Sequence, residues 1–565
     1  MAKSSPAKSP AGLKTTLQTG TELASAWSNP IRAVVLLFLA AAFSVLSQLA
    51  LAPVYGSTPA HVYHEVLCNI ALVAGLILKS HFPQLFHHDE KLLPVLLFSI
   101  PNIQSVLFQY SSHLGNPSGP LLTELVTTAP LLLLSGSIAS AFIGSLKLQR
   151  YGSSFWVPIV GAVLFKSAHD TTQSTVPLYL GSTLFLTTFG LQIVLAVLYT
   201  VIISPKLTWL LLALPSLLLS LTVNVHMPFE RTATRLNSTL HESNYSLVDR
   251  QESLTGYISV LDNMEVGFRA MRCDHSLLGG EWTRRPTGYN PTASDPIYAV
   301  FTMLEAVRLA ESDSDSPRNK DSHSNALVIG LGIGTTPAAL IQHGVNTTIV
   351  EIDPVVYKFA LQYFHFPENH TAVIDNAVTF VENARLQSKQ YEYIVHDVFT
   401  GGTEPIDLFT LEFMQGLYAL LKENGIVAIN YAGDLSLPSA GLVVRTIRSV
   451  FPLCRIFREN GSDKSDSDPL GFTNMVIFCK KTSKEPLNFR APQPNDYLGS
   501  KSRKAYMYPQ HEINPNIFGA GDTDTNQQVL QIGKTELLKK YHTQSAIGHW
   551  KIMRTVLPAK VWENF

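Results

Sequence analysis

Between residues 31 and 226 the chain strings together apolar runs that few folds can hide from water. "IRAVVLLFLAAAFSVLSQLALAPVYG" (31–56) is the first, and further candidates lie at 63–80, 92–111, 120–146, 154–168, 177–204 and 207–226. A bilayer core about 30 Å thick takes roughly 20 apolar residues as helix. Backbone groups in lipid must be satisfied within their own segment, so 31–226 is expected to be a multi-pass α-helical membrane domain in contact with a lipid bilayer. Buried helices of a soluble protein are the alternative; consecutive spans nearly free of charge weigh against them. The run at 154–168 is short and carries Lys166, which leaves the count at six or seven. Glu65 and Glu124 fall near span ends and read as interfacial rather than as a transport path. Residues 1–30, rich in Ser, Ala, Thr and Lys, read as a disordered tail without a cleavable signal.

Lys3, Lys8, Lys14 and Arg32 flank the first span and favour a cytosolic N-terminus. Seven spans then carry the remainder across the membrane, whereas six keep it in the cytosol. Sequons at Asn237, Asn244, Asn346, Asn369 and Asn460 lean towards a lumenal domain. Asn346 and Asn369 stand just before expected strands, where a glycan is awkward, so the expectation leans to the cytosol.

The net charge of −1 makes no electrostatic case for nucleic acid, and no basic stripe adds one. Cys68, Cys273, Cys454 and Cys479 lie far apart with no CxxC spacing, so no metal site is expected and the cysteines read as mostly reduced core residues.

From about 245 the periodicity changes. "SLVDRQESLTGYISVLDN" and "GFRAMRCDHSLL", joined through "NMEVG", suggest a small hairpin sheet, and "DPIYAVFTMLEAVRLA" (295–310) an amphipathic helix starting at Asp295 and Pro296. From 325 strands and helices alternate from "ALVIGLG" to "GIVAINYA", with "NMVIFCKK" as a late antiparallel edge strand. Such alternation predicts an α/β Rossmann-like domain over 325–482, behind a β-hairpin subdomain and linking helix at 245–310.

Ligands in such sheets bind beyond the carboxyl ends of the strands, where the winding reverses. There "GLGIG" offers Gly330 for a tight turn, Gly332 for close backbone approach to a ligand, and Gly334 for helix–strand packing. Glu351 ends the next strand, placed to accept hydrogen bonds from both ribose hydroxyls, and Asp353 either joins it or steadies the loop.

At this point the residues resemble the polyamine aminopropyltransferases, the spermidine/spermine synthases, and in particular their membrane-fused fungal-type relatives, over roughly 245–480. "VIGLGIGTTPAAL", "IVEIDP", "DNAVTF" and "YEYIVHDVFTGGTEPIDLFTLEFM" carry the likeness. It implies an adenosyl sulfonium donor, decarboxylated S-adenosylmethionine or S-adenosylmethionine itself, no metal, a small amine or other small-molecule acceptor, and a homodimer. It also implies that Asp397 is the base or amine-orienting group, and that Asp375 or Asn376 holds the adenine. Tyr298 is retained in the acceptor pocket, but the family's second aspartate is Thr400, its glutamine falls at Leu278, and the neighbour of Tyr298 is Ala299. Polyamine cations need carboxylates, so these departures weaken putrescine or spermidine as acceptor. Glu281 and His275 are candidates to line an altered pocket, with Trp282 as a wall; His396 points to the opposite side of its strand. Sulfonium nucleosides are made in the cytosol, which reinforces the cytosolic expectation.

The C-terminal extension, 483–565, contains a connector, an expected helix in "DTNQQVLQIGKTELLKKYHT", and an aromatic finish suited to docking on the catalytic domain or the membrane surface. Lys501, Arg503 and Lys504 read as a solvated loop. The leading expectation is a membrane-anchored aminopropyl transferase. Methyl transfer from S-adenosylmethionine through the same pocket, and a catalytically relic nucleoside sensor, are the alternatives.

Overall fold

The computed structural model describes residues 12–82, 84, 88–144, 153–203, 206–313, 320–398, 401–459, 471–481, 485–519 and 528–565. The N-terminal half is helical. Among the described residues four stretches are long and apolar enough to cross a membrane, by length and composition: Asn29–Tyr55, Ser57–Lys79, Asp89–Phe108 and Ser118–Ile143. Thr188–Ile203 and Thr208–Thr222 are apolar but shorter. The first helix begins at Gly12, inside the segment expected to be a tail. Glu124 is buried among the helices and bonded to His64, whose Nε2 lies 3.3 Å from His169 Nε2.

Four strands then form an antiparallel meander: β1 (Tyr245–Ser253), β2 (Gly256–Asn263), β3 (Phe268–Cys273) and β4 (Ser276–Trp282). The expected helix over 295–310 is only Ala299–Leu304 with a 3-10 turn after it. Asp295 does not start it. Its carboxylate accepts from Tyr289 Oη at 2.7 Å and Ser500 Oγ at 2.5 Å, tying down the C-terminal extension.

The second sheet has eight strands: β5 (Asn325–Ile329), β6 (Asn346–Glu351), β7 (Thr371–Ile374), β8 (Tyr391–His396), β9 (Leu421–Asp434), β10 (Leu453–Arg458), β11 (Phe472–Lys480) and β12 (His511–Ile513). Their order is β12-β10-β11-β9-β8-β5-β6-β7. Strands β9, β8, β5, β6 and β7 are parallel, and β11 runs antiparallel between β9 and β10. "NMVIFCKK" is therefore an interior strand, with Val476 and Phe478 in one core and Met475, Ile477 and Cys479 in the other, as its apolar run allows. Both faces of the central strands are covered. In β5, Ala326 and Val328 enter one core with Val355 and Phe359, while Leu327 and Ile329 enter the other with Phe380 and Phe413. Successive side chains point to opposite faces, so the strand reads as a continuous apolar run.

Three expectations about the remainder are corrected. Cys454 and Cys479 face each other in the β10/β11 register and form a disulfide, because antiparallel pairing brings together residues 25 apart. In the extension, the helix runs Glu536–Val556; of the stretch 524–543 expected to be helical, 524–527 lie outside the described residues and 528–535 are not helical, with a turn at Gly533 at φ +78°. Arg503 is buried rather than solvated, paired with Glu305 at 2.9 Å. The aromatic finish docks: Phe565 packs among Phe108, Phe189 and Tyr257, and His226 Nδ1 lies 2.9 Å from its backbone oxygen.

Candidate active site

A cavity of about 620 Å³ lies over the carboxyl ends of the parallel strands, beside β5 where the winding reverses. Crevices of this size and position take small molecules. Its glycine loop follows β5. Gly330 has φ +87°, and a Cβ there would stand 2.0 Å from the Asp397 carbonyl oxygen. Gly332 has φ +55°, and its Cβ would meet the Leu278 carbonyl oxygen at 2.3 Å. The close approach expected of Gly332 is thus made by the hairpin sheet, which seats its β4 backbone on the loop. Gly334, left-handed at φ +85°, begins the helix Thr335–Gln342 against the Phe366 ring rather than against a strand.

Glu351 ends β6 and lines the cavity. Its two oxygens accept from Leu331 N at 2.8 Å and Asp353 N at 2.9 Å, and burial raises its carboxyl to about 7. Each oxygen retains acceptor capacity for a hydroxyl. Asp353 lies outside the cavity lining. It caps the helix Pro354–Tyr363 and accepts from Ser253 Oγ at 2.7 Å and Thr255 Oγ1 at 2.6 Å, locking the hairpin sheet to the catalytic sheet. Asp375 and Asn376 both line the cavity after β7, but the Asn376 side-chain oxygen is engaged by Val378 N in capping its helix.

Asp397, one residue past β8, sits between these donor-side groups and the rest of the cavity. It accepts from Asn430 Nδ2 at 2.8 Å, and burial raises its carboxyl to about 6. Beyond it, over β9 and β11, lie Asn430, Asn474 and Glu459; Glu459 accepts from Ala299 N at 3.0 Å and so caps the helix that follows Tyr298. Tyr298 lines the cavity, and burial raises its phenol. Leu278 lines it as well. Glu281 does not: it lies on β4 opposite Arg269 and bridges to Pro296, and burial raises its carboxyl. Trp282 packs edge-on against Phe268, 6.1 Å between ring centres. His396 is fully buried against Phe409, away from the cavity. Thr400 lies outside the described residues.

His275 does line the cavity, stacked on Trp562 at 4.2 Å, with Nε2 accepting from Arg554 Nε at 3.1 Å. Sequence reasoning passed over Asn430, Glu459 and His549. The first two had a signal: a polar residue in the otherwise apolar "GIVAINYA", and an acid at the carboxyl end of β10. His549 had none, because its helix reaches the cavity only through the fold. Among the described residues, no group of three or more His, Cys, Asp or Glu is placed to hold a metal.

Comparison with known proteins bears on which reaction this site serves. A spermine/spermidine synthase domain matches residues 314–455. The N-terminal histidine N-methyltransferase of Emericella nidulans is 50% identical over 94% of this chain and 96% of its own length. The polyamine aminopropyltransferase of Vibrio vulnificus is 36% identical, but over only 18% of this chain and 36% of its own. Among solved structures, a probable spermidine synthase from Corynebacterium glutamicum has 15% identity and a TM-score of 0.34 over 48% of this chain and 96% of that one. Human Methyltransferase-like protein 13 in complex with SAH has 19% identity and a TM-score of 0.26 over 37% and 89%. By sequence the Vibrio vulnificus match is short and the Emericella nidulans match nearly full-length, so the balance moves from aminopropyl transfer to methyl transfer. An adenosyl sulfonium donor accords with both matches. The chain is a transferase that belongs to the family of the N-terminal histidine N-methyltransferase of Emericella nidulans, built around a spermine/spermidine synthase domain.

Proposed function

We propose that this protein transfers a methyl group from S-adenosylmethionine to a nitrogen of the N-terminal histidine of a polypeptide. The observation that carries the reading is the 50% identity, end to end, with a methyltransferase of that name. The cavity's chemistry supports it. Leu331 and Ile333, between the loop glycines, are apolar, so the loop has no acid for the lone ammonium of a decarboxylated donor.

The basicity of the acceptor argues the same way. An imidazolium loses its proton near pH 6.5, an α-ammonium near 7.7–8.0, and a side-chain ammonium near 10.4. Asp397, at about 6, lies within roughly two pH units of both histidine groups and more than four below the last. The carboxylate therefore takes a proton from an N-terminal histidine at much smaller cost than from a polyamine. The neutral nitrogen then attacks the methyl carbon in line with sulfur. The N–C bond forms, the C–S bond breaks with its electrons going to sulfur, and the products are the methylated, cationic nitrogen and S-adenosylhomocysteine. Glu351 would hold the ribose, and Asn430 would orient Asp397.

The helical half is proposed to sit in a bilayer, supported by four adequate spans and by large apolar side chains on its outside, including Phe38, Ile70, Val163 and Val201. The Cys454–Cys479 disulfide and the exposed sequon residues Asn244, Asn346 and Asn369 favour an oxidising, non-cytosolic side for the catalytic half, against the cytosolic expectation. Purified full-length protein with each donor and peptides beginning with His, free or acetylated, tests the reaction by mass spectrometry. Methylated free peptide with S-adenosylhomocysteine supports the reading. Methylthioadenosine from the decarboxylated donor overturns it in favour of aminopropyl transfer, and donor binding without product favours a sensor.

A further inference from the structure

The two ends of the apolar helices differ in charge. One set of ends meets the catalytic half. The Val54 carbonyl accepts from Trp550 Nε1 at 3.0 Å, Gln109 Nε2 donates to Asn564 Oδ1 at 3.0 Å, and Thr188 N donates to Glu252 Oε2 at 2.7 Å. The opposite ends carry Arg32, Lys79, Lys91 and Lys206. Arg32 Nε donates to the Ile202 carbonyl at 3.0 Å, at the far end of the helix that Thr188 begins. Lysine and arginine concentrate on the cytosolic flanks of membrane helices. In a bilayer this arrangement puts the catalytic half on the other side, which also suits the Cys454–Cys479 disulfide. On that side asparagines in Asn-X-Ser/Thr receive sugar.

The fold separates the five sequons. Asn237 is half-buried in the helix Glu230–His241, where Oδ1 accepts from Leu247 N at 2.7 Å and Nδ2 donates to Leu247 O at 3.3 Å. A sugar makes this amide secondary, and trans geometry then replaces the N–H on the oxygen's side, the one that such a two-point pairing uses. Asn244 Nδ2 donates to Glu265 at 2.9 Å from a left-handed backbone, φ +62°, and Asn346 Nδ2 to Asn325 at 3.2 Å. Asn460 lies outside the described residues. Asn369 is exposed, and among the described residues its side chain makes no hydrogen bond. The turn presenting it is held by its neighbour, His370, whose Nδ1 lies 2.7 Å from the Pro367 carbonyl oxygen and Nε2 3.1 Å from Tyr357 Oη.

Standing before a strand is no obstacle at Asn369, because β7 is the last strand on its side of the sheet. Thr371, Ala372 and Ile374 of β7 are exposed. Open sheet edges pair with other chains unless something covers them. Asp375, at the cavity, follows the other end of β7, about 13 Å along the strand, so bulk at Asn369 is clear of the site.

Resting on the bilayer and non-cytosolic reading above, we propose that Asn369 carries an N-linked oligosaccharide, which covers the bare edge of β7. The Asn369 amide nitrogen attacks the anomeric carbon of a lipid-pyrophosphate-linked oligosaccharide. The N–C bond forms, the C–O bond breaks with its electrons going to the pyrophosphate, and one Nδ2 proton is lost. The sugar acts on solubility and leaves turnover alone.

Full-length parent, Asn369→Gln, Thr371→Ala and Asn237→Gln, made in a eukaryotic host, test this by glycosidase digestion, glycopeptide mass spectrometry and protease treatment of sealed microsomes. Asn369→Gln and Thr371→Ala should each lose the mass of one glycan, and Asn237→Gln none. Asn369→Gln should also aggregate severalfold more than the parent, with kcat/KM within about twofold of it, as for a surface change away from the site. Sugar-free Asn369 in a parent whose catalytic half is protease-protected overturns the glycan and leaves the side standing. Cleavage of the catalytic half in sealed microsomes overturns the side itself. A glycosylated parent whose Asn369→Gln variant aggregates no more than it does overturns the covering of β7. Should that variant not fold, glycopeptides of the parent decide the site and Thr371→Ala the covering.

Discussion

Replacing Asp397 by Asn sets stability against catalysis in a single substitution. Burial lifts this carboxyl from 3.8 to about 6, opposed by the Asn430 hydrogen bond. At 1.36 kcal/mol per pH unit the rise corresponds to about 3 kcal/mol, and solvent screening of a group at a cavity wall reduces it to roughly 1–3 kcal/mol. The folded chain binds this proton more tightly than the unfolded chain. Stability therefore falls as pH rises from about 4 to about 6, and the whole loss is present above that. Asn carries no charge, so Asp397→Asn should melt higher than the parent at neutral pH, by about 2–4 °C for each kcal/mol recovered, with the gain shrinking towards pH 4. Activity should move the other way. Loss of a general base costs about 10²–10⁴ in kcat, while S-adenosylhomocysteine affinity should hold because Glu351 and the glycine loop are untouched. In the parent, kcat/KM should climb as pH passes about 6, where Asp397 ionises. Scanning fluorimetry across pH and steady-state methylation of a His peptide measure both. A variant within about threefold of parental kcat would refute Asp397 as base, and a lowered melting temperature at neutral pH would refute the burial argument.

Glu351→Gln puts an amide NH₂ against an N–H donor, either Leu331 or Asp353, and should weaken S-adenosylhomocysteine binding about 10–100-fold by calorimetry. In the parent that affinity should drop as pH falls through about 7, because protonation of Glu351 removes acceptor capacity for the ribose hydroxyls. Gly332→Ala should lose donor affinity and melt lower, since its Cβ would stand 2.3 Å from the Leu278 carbonyl on a left-handed backbone; a normal melting curve would show that the hairpin sheet can retreat. Cys454→Ser with Cys479→Ser opens a loop of 25 residues and should cost about 3 kcal/mol by loop entropy, read as a lower denaturation midpoint than the parent under oxidising conditions and an equal one after reduction.

The catalytic sheet was legible because its strands are buried on both faces. Such strands read as short apolar runs, and β5, β6, β8 and β9 fall where the runs do. The glycine loop and Glu351 were legible for a related reason, since a nucleoside crevice needs a positive-φ turn and an acid at neighbouring strand ends. Contacts across sequence were not. Glu281 and Asp353 have the chemistry of site residues, yet one is spent inside the hairpin sheet and the other on capping and on Ser253 and Thr255. The disulfide was missed because only strand register pairs Cys454 with Cys479.

Sequence alone determined the division into an apolar helical half and a doubly wound half, and the glycine loop and strand-end acid at one end of the cavity, because local patterning suffices for each. The other end of the cavity was decided by tertiary structure. Trp550 and Val54 meet from 496 positions apart, Arg272 binds the carbonyls of Pro53 and Val561, and His549 reaches the cavity because its helix is clamped between the catalytic loop and the helical half. No periodicity encodes such a junction. It forms where separate elements bury their remaining apolar faces and backbone carbonyls against one another.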